Sequence, residues 1–238
     1  MVRVVVRSGI LLAAAALAVT SGCATDDPRR STSTQAPAER RTTSTATPTP
    51  EPSVEPSTEP SPSPEVVPEP RRSFVTIPAI GLRDFPVVRY PGSPDDAPGT
   101  ELQNAGDMAS PRGPRGGVGP GEVGNFIVTG HRLTGTAPLR HSPSLRRGDR
   151  ILVRSGDTVF VYEVRRTRWT SFREPRSLRA QRAPVPGRLG EEATEPMITL
   201  STCATLEDHA AGNYWADEHD NPEHRIDKIG VLVATRPA

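Results

Sequence analysis

A long proline-rich stretch divides the chain into a part that can bury a core and a part that cannot. Residues 25–72 consist mainly of Pro, Ser, Thr, Glu and Ala, with almost no large apolar side chains. Such a segment cannot bury enough apolar surface to offset the entropy that a chain loses on folding, so we predict a disordered linker. Its proline density favours an extended conformation that acts as a spacer. Residues 73–238 remain, and they are enough for one folded domain.

The segment before the linker, residues 1–24, has the layout of a secretion signal. Two arginines precede an apolar run over residues 9–19, and the sequence Thr20-Ser21-Gly22-Cys23 follows. Because this run is shorter than the roughly 20 residues of a membrane span, we expect cleavage. The ending resembles the lipobox of bacterial lipoproteins, which predicts lipidation of Cys23; an uncleaved anchor and ordinary cleavage are the alternatives. We expect the chain to lie at the extracytoplasmic face of the cell membrane, anchored by its N-terminus.

Charge and cysteine content exclude some functions and draw attention to one residue. A formal net charge of +1 and scattered arginines give no basic face for binding nucleic acid. The two cysteines are Cys23, at the end of the signal, and Cys203, deep in the domain, so we expect no structural disulfide. Oxidising compartments tend to pair or damage free thiols that have no task. Cys203 is therefore the first candidate for a functional residue.

The domain consists of short β-rich runs that are separated by Gly and Pro. The predicted strands are 74–80, 85–90, 125–129, 150–154, 158–164, 197–202 and 226–235. Ser155-Gly156-Asp157 predicts a tight hairpin between two of them. Short helical turns are expected near residues 139–145 and within residues 177–182. These patterns predict an all-β domain, a closed β-barrel of about eight strands with one or two short helices.

Reactive side chains follow or precede three of the predicted strands: His131 and Cys203 each come at the end of one, and Arg225 stands just before the last. A nucleophilic cysteine needs a nearby imidazole or positive charge to raise its thiolate fraction, and His131 can supply the imidazole. When a thiolate attacks a carbonyl, negative charge builds on the oxygen, and a fixed donor lowers the barrier. An arginine suits that role because it stays charged and offers several N–H groups.

The motifs around these residues resemble the sortase family, and most closely its class E. The family's Thr-Leu-x-Thr-Cys motif is present as Thr199-Leu200-Ser201-Thr202-Cys203, and its Gly-His signature as Thr129-Gly130-His131-Arg132. Two further segments are also similar to class E. One is Ile77-Pro78-Ala79-Ile80-Gly81 near the start of the domain, and the other is Gly121-Glu122-Val123-Gly124-Asn125, which precedes the strand that leads to His131. The resemblance covers about residues 73–235, which is the whole predicted domain.

The resemblance implies a sortase-like barrel and a two-stage acyl transfer. Cys203 would attack the Thr–Gly bond of a C-terminal sorting signal, His131 would protonate the leaving amine, and Arg225 would stabilise the oxyanion. A cell-wall amine would then resolve the thioacyl intermediate. The expected signal is Leu-Ala-x-Thr-Gly, and the partners are secreted proteins that bear it and a peptidoglycan precursor amine. The resemblance implies no cofactor, and we expect no metal site.

The segment Ala204–His224 is longer than the usual connection between the last two strands of this family. It holds three histidines and several carboxylates, but their spacing fits no standard zinc pattern, so we expect a solvated polar loop. Thr202, within the cysteine motif, and Tyr214, in this loop, are further candidates for contacting the substrate peptide.

Two other functions stay open at this level. Papain-like cysteine peptidases place the cysteine before the histidine, and His209, His219 and His224 all follow Cys203. In that case His209 or His224, rather than His131, would be essential for activity. A catalytically degenerate surface lipoprotein would bind a sorting peptide without forming a thioester.

Overall fold

A computed structural model of the protein describes residues 71–238. The predicted signal at residues 1–24, with Cys23, and nearly all of the predicted linker at residues 25–72 lie outside the described residues. The first strand begins at Arg72, beside the predicted domain boundary. None of the helices in the described part of the chain is long and apolar enough to cross a membrane.

Eight β-strands make up most of the structure between residues 71 and 238. In chain order they are β1 Arg72–Ile77, β2 Leu82–Pro91, β3 Met108–Arg112, β4 Gly124–Thr129, β5 Arg150–Ser155, β6 Thr158–Ser171, β7 Pro196–Cys203 and β8 His224–Pro237. They close into a barrel in the order β1-β2-β3-β4-β7-β8-β6-β5, and β5 returns to β1. Strands β2 and β3 are parallel, as are β4 and β7, and the other pairs are antiparallel. The predicted barrel of about eight strands is confirmed.

Short helices fill the connections between strands. They are the α-helices α1 Ala97–Asn104, α2 Pro175–Gln181 and α3 Thr205–Ala210, with 3₁₀ turns at Pro78–Ile80 and Ser142–Ser144. The second 3₁₀ turn and α2 correspond to the two predicted helical turns, whereas α1 and α3 add to them. Pro98, Gly99 and Thr100 hide the helical pattern of α1, yet the Asp96 carboxylate caps this helix by accepting a hydrogen bond from the backbone N–H of Gly99.

Strand β3 is the one barrel strand that the sequence pattern did not predict. Its sequence is Met-Ala-Ser-Pro-Arg, and a proline argues against a strand because it cannot donate to the hydrogen-bond ladder. Pro111 is tolerated because β3 pairs with β4 only at Ala109, so the missing N–H falls beyond that pairing.

The longest pairing in the barrel joins β6 to β8. It runs from Thr158 opposite Pro237 to Ser171 opposite His224, which extends β6 well past its predicted end at residue 164. The predicted hairpin between β5 and β6 is confirmed: Ser155 pairs with Thr158, and Gly156 takes a positive φ of 56° in the turn.

The barrel interior is filled by apolar side chains from the strands and from the segment between β4 and β5. The buried cluster contains Val75, Ile77, Val87, Met108, Phe126, Val128, Leu139, Leu145, Ile151, Val153, Tyr162, Val164, Ile198 and Leu200. Because side chains alternate across a strand, the neighbours of these residues on β4 and β7 face outward.

The outward face of β4 and β7 is also buried, but it is mostly polar. The Thr199 hydroxyl donates to Oδ1 of Asn125 (2.8 Å), and the Asn125 amide donates to the backbone carbonyl of Gln181 at the end of α2 (2.9 Å). The Gln181 side-chain amide donates to Oγ of Ser201 (3.1 Å) and to Oδ1 of Asp227 on β8 (3.0 Å). This network satisfies polar groups that would otherwise be costly to bury, and it fastens α2 onto the sheet.

Lys228, the single lysine of the sequence, lies in β8 and is 4% exposed. Its ammonium group donates to the carbonyl of Leu145 (2.8 Å) and to the hydroxyl of Thr167 (2.9 Å). Burial lowers the pKa of this ammonium group. The two oxygen acceptors offset part of the cost of burying it.

Candidate active site

The pairing of β7 with β8 brings Cys203 and Arg225 together. Cys203 is the last residue of β7 and lies directly opposite Arg225 in the antiparallel register. Paired residues project to the same face of a sheet, here the outward face. The Nη1 atom of Arg225 donates a hydrogen bond to Sγ of Cys203 across 3.0 Å.

The parallel pairing of β4 with β7 carries His131 to the same end of the barrel. Thr129, the last residue of β4, lies opposite Ser201, so the chain leaves β4 beside the cysteine. The Gly130 N–H donates to the carbonyl of Ser201 (3.2 Å), and the Thr202 hydroxyl donates to the carbonyl of Gly130 (2.8 Å). A side chain at position 130 would place its Cβ 3.0 Å from a buried methionine of β3, so glycine allows this close approach.

Cys203 and His131 line one cavity of about 360 Å³. The rest of its wall comes from α1, from residues 132–134, from Thr205 at the start of α3 and from residues 219–221 of the loop before β8. Cys203 is partly exposed in this cavity, whereas Arg225 lies behind the wall and is fully buried. A substrate can therefore reach the sulfur from one side while the guanidinium supports it from the other.

Arg225 is held by more than its contact with the thiol. Its Nε donates to Oδ2 of Asp95 (3.1 Å), and its Nη2 donates to Oδ1 of Asn221 (2.6 Å). The guanidinium carbon lies 4.3 Å from the centre of the Phe172 ring, which is a cation–π contact. These contacts fix the plane of the group and leave Nη1 directed at Cys203.

The His131 imidazole is oriented by the last residue of α1. Its Nε2 lies 2.8 Å from Oδ1 of Asn104, and because an amide oxygen only accepts, Nε2 donates. Nδ1 is then the nitrogen that can exchange a proton with the reacting atoms. Burial lowers the pKa of His131; Arg225 adds to this effect and Asp95 opposes it, so the imidazole is neutral at pH 7.

The Cys203 thiol is also neutral at rest. Burial raises its pKa above the usual value, and the positive charge of Arg225 opposes this effect without cancelling it. The resting site therefore combines a thiol, a neutral imidazole and a fixed guanidinium. Negative charge on the sulfur, or on a carbonyl oxygen beside it, would arise in contact with Arg225.

Arg132 connects the histidine segment to the turn after the cysteine. Its Nη1 donates to the carbonyl of Cys203 (3.3 Å), and its guanidinium forms a two-pronged ion pair with Glu207 of α3, with Nη2 2.8 Å from Oε1. The hydrogen bond from Arg132 is the main cause of a lowered pKa at Glu207. Arg132, next to His131, is thus held to the segment that follows Cys203 by a hydrogen bond and an ion pair, in addition to the pairing of β4 with β7.

In the segment Ala204–His224, His209 and His224 contact other residues of the same segment. His224 contacts Asp208 through Nδ1 (2.7 Å) and through its backbone N–H (3.0 Å), and the rings of His209 and Tyr214 lie 4.7 Å apart. In residues 71–238 no group of three or more His, Cys, Asp or Glu is placed to hold a metal ion. Tyr214 is 73% exposed and does not line the cavity.

The structure thus brings Cys203, His131 and Arg225 to one site. Thr202 is next to the cysteine in sequence, but its side chain is buried and bonded to Gly130 on the other face of β7. The roles of Thr202 and Tyr214 in binding a peptide stay predictions.

The sequence analysis did not identify the residues that contact Arg225 and His131 from outside the motifs. Asp95, Asn104, Asn221 and Phe172 all belong to this group. One weak signal was present, because two aspartates stand side by side before α1 and a helix needs only one cap. Asp96 makes that cap, which leaves the first aspartate without a local partner.

The sortase domain family matches residues 75–216, which is more than half of the chain. The chain belongs to the sortase family. Members of this family are cysteine transpeptidases. The papain-like alternative is thereby wrong, since the chain has the sortase barrel.

Individual relatives agree with this assignment and include class E sortases. Sortase SrtE1 of Streptomyces coelicolor is 34% identical over 82 residues; the alignment covers 34% of this chain and 22% of that protein. Sortase E from Streptomyces avermitilis is 25% identical, with a TM-score of 0.50 over 69% of this chain and 89% of that one. Sortase E1 from Streptomyces coelicolor, solved with a tripeptide in its active site, is 23% identical and shares the fold, with a TM-score of 0.52 over 70% of this chain and 90% of that one.

Proposed function

We propose that this sortase cleaves the Thr–Gly bond of a C-terminal sorting signal and joins the new carboxyl end to a cell-wall amine. The resemblance to class E motifs favours Leu-Ala-x-Thr-Gly as the signal. The relationship to Sortase SrtE1, and the tripeptide bound in the active site of Sortase E1, support a peptide substrate.

The layout of residues 1–24 supports action at the extracytoplasmic face of the membrane with an anchor at Cys23. Recovery of a Cys23→Ala variant in the membrane fraction, still at the wild-type level, would contradict lipid anchoring.

One observation carries the proposal: the Nη1 of Arg225 lies 3.0 Å from Sγ of Cys203 at a cavity that His131 also lines. A donor fixed beside the nucleophile also lies beside the oxygen of a carbonyl that the nucleophile attacks. In a partly dehydrated site such a donor stabilises the developing oxyanion strongly, by about 3 kcal/mol in comparable enzymes.

The first half-reaction forms a thioester. The proton of the Cys203 thiol passes to His131, and the sulfur attacks the carbonyl carbon of the substrate threonine while Arg225 donates to the oxygen. The C–N bond to glycine then breaks, and the imidazolium gives its proton to the leaving amine. The products are a thioacyl group on Cys203 and a peptide that begins with glycine.

The second half-reaction reverses these roles. An amine of the cell wall attacks the thioester carbonyl, His131 accepts the amine proton, and Arg225 again donates to the oxyanion. The C–S bond breaks, a new amide bond forms, and the proton returns to the thiolate. Water in place of the amine would give hydrolysis, so the enzyme needs an acceptor that outcompetes water.

The test uses the full chain with a Leu-Ala-x-Thr-Gly peptide and an amine such as triglycine or a diamino-acid stem peptide. We expect mass spectrometry to show a ligated product and, without the amine, a Cys203 adduct heavier by the acyl part of the peptide. A parallel Leu-Pro-x-Thr-Gly peptide measures the preference at the second position. A degenerate binding protein would retain the peptide but give neither adduct nor product, and that outcome would sink the proposal.

A further inference from the structure

The buried carboxylate of Asp95 pairs with Arg225, and the reaction described above assigns it no task. Asp95 is 7% exposed and has a φ of 58°, in the left-handed region that non-glycine residues seldom adopt. Its Oδ1 accepts a hydrogen bond from the side chain of Gln103 (3.2 Å), which also reaches the hydroxyl of Thr129 (3.2 Å). Both oxygens of the carboxylate are therefore held in place, one by α1 and the other by Arg225.

A purely structural role does not explain this arrangement well. The neighbouring Asp96 already caps α1, and a buried ion pair contributes little to stability because removing both charges from water is costly. The contact that requires an explanation is thus the one between Asp95 and Arg225.

The geometry of the guanidinium indicates what the contact does. The Nε atom donates to Asp95 and the Nη2 atom donates to Asn221. These two hydrogen bonds fix the plane of the Arg225 guanidinium. Nη1 is left to meet Sγ of Cys203 and any oxyanion beside it. Without the carboxylate the side chain could turn about its terminal bonds, and a displacement of about 1 Å is enough to cost much of the rate.

We propose that Asp95 is a positioning residue of the transpeptidation. It holds the Arg225 guanidinium in the orientation in which Nη1 meets the reacting atoms, and it neutralises the arginine while Cys203 is still a thiol. This inference rests on the proposed function. It gives the α1 region a place in the chemistry, because Asp95 precedes that helix and Asn104, which orients His131, ends it.

Charges around the site decide the sign of the expected effects. Besides these two, the charged or titratable groups that face Cys203, Arg225 or their cavity are Asp95, His131, Arg132, Glu207, Asp217, His219 and Asp220. Burial is the largest cause of the raised pKa of Cys203; Arg225 lowers this pKa, and Asp95 raises it. Loss of the Asp95 charge should therefore lower the pKa of the thiol although it impairs turnover.

The test is Asp95→Asn in the full chain. Asparagine tolerates the left-handed conformation and keeps the size of the side chain, but it has no charge and only one acceptor oxygen. It therefore cannot accept from both Nε of Arg225 and the Gln103 amide, and the guanidinium loses the contact that fixes its plane. Two quantities are measured: kcat and KM with the Leu-Ala-x-Thr-Gly peptide, and the pH midpoint of Cys203 alkylation by iodoacetamide, read from the peptide that contains this cysteine. We expect kcat to fall on the order of a hundredfold, as for other misplaced catalytic groups, while the alkylation midpoint moves to lower pH.

Asp96→Asn is the matched control. It removes the same charge one residue away, and asparagine caps a helix about as well as aspartate, so kcat and the alkylation midpoint should stay at wild-type values. The inference is overturned if Asp95→Asn keeps wild-type kcat, or if it loses activity with no acid shift of the midpoint, which is the result that simple destabilisation would give. If the wild type forms no product, the proposed function fails, and the alkylation measurement, which needs no substrate, still reports whether the Asp95 charge acts on the thiol.

Discussion

Strands β4 and β7 have two buried faces of opposite chemistry. Phe126, Val128, Ile198 and Leu200 point into the barrel, where they are fully buried among apolar side chains. The alternating residues point outward beneath α1 and α2, and they are mostly polar. Residues on the inward face can pack against any apolar neighbour of suitable size, because dispersion and the hydrophobic effect are not directional.

The outward face depends instead on particular partners. Thr129 accepts from Gln103, and Ser201 accepts from Gln181, each from a helix distant in sequence. Two residues after Ser201 on this face comes Cys203, with Arg225 opposite. The comparison indicates a division of labour in which the inward face supplies stability and the outward face supplies the chemistry. Substitutions on each face can test it.

The largest effect is expected from Cys203→Ala on the outward face. Removal of the nucleophile should abolish the thioacyl adduct and lower kcat at least about a thousandfold, as in other enzymes that lose a nucleophile. Because the side chain is small and partly exposed, the melting temperature should change by less than about 4 °C. Ligation assays and thermal unfolding measure the two quantities. Substantial residual ligation would contradict the assigned nucleophile.

The second-largest effect is expected from Arg225→Lys. Lysine keeps the charge but lacks the planar fork that reaches Asp95, Asn221 and Cys203 together. We expect kcat to fall about 10²–10³-fold, the range for a lost oxyanion donor, with KM less affected. Arg168→Lys is the control, since Arg168 pairs with Asp227 on the same face and should leave kcat near the wild-type value. Equal losses in both variants would point to general damage of that face.

Leu200→Ala tests the inward face. It removes a fully buried side chain from the core and should lower the free energy of unfolding by about 2–5 kcal/mol. The folded fraction should keep kcat within about a factor of two, since the chemistry lies on the other face of β7; denaturant unfolding and activity at low temperature measure both. Thr199→Val, which removes one outward hydrogen bond and leaves the buried Oδ1 of Asn125 without this donor, should cost about 1–3 kcal/mol. A loss of kcat with Leu200→Ala as large as with Arg225→Lys would refute the division between faces.

The smallest effect is expected from substitutions of Asn104, which should change the pH dependence of kcat/KM. A carboxylate beside Nε2 favours the imidazolium, so Asn104→Asp should raise the pKa of His131 and move the acid limb of kcat/KM to higher pH by roughly one unit. Asn104→Ala removes the acceptor and should move the limb the other way. The pH profile of kcat/KM distinguishes them, and shifts in the same direction would exclude the proposed hydrogen bond as the cause.

The sequence was sufficient to predict most of the barrel because its strands carry local signals. Alternation, β-branched residues and the turn Ser155-Gly156-Asp157 are read within a few neighbouring positions. Strand β3 has none of these signals, and it is held by its parallel pairing with β2 over five positions. Helix α1 was hidden because Pro98 and Gly99 disfavour helix interiors, although both fit its first turn.

The site was predictable only as far as its motifs extend. Cys203 and His131 were predicted because family motifs mark them, and Arg225 because it was the sole arginine between Cys203 and the last strand. Asp95 lies 130 residues from Arg225, and no local pattern encodes a contact between one aspartate among many and a distant guanidinium. Such contacts follow from the closure of the barrel, which brings the start of α1 to the start of β8.

The burial of Lys228 has a consequence for an enzyme that transfers acyl groups to amines. The sequence offers no other lysine side chain, and this one is turned away from solvent and occupied by two oxygen acceptors. A folded copy therefore presents no lysine amine that a neighbouring copy could acylate. Neighbouring copies of the enzyme would be protected from cross-linking one another through lysine, and the activated acyl group would be kept for other amines.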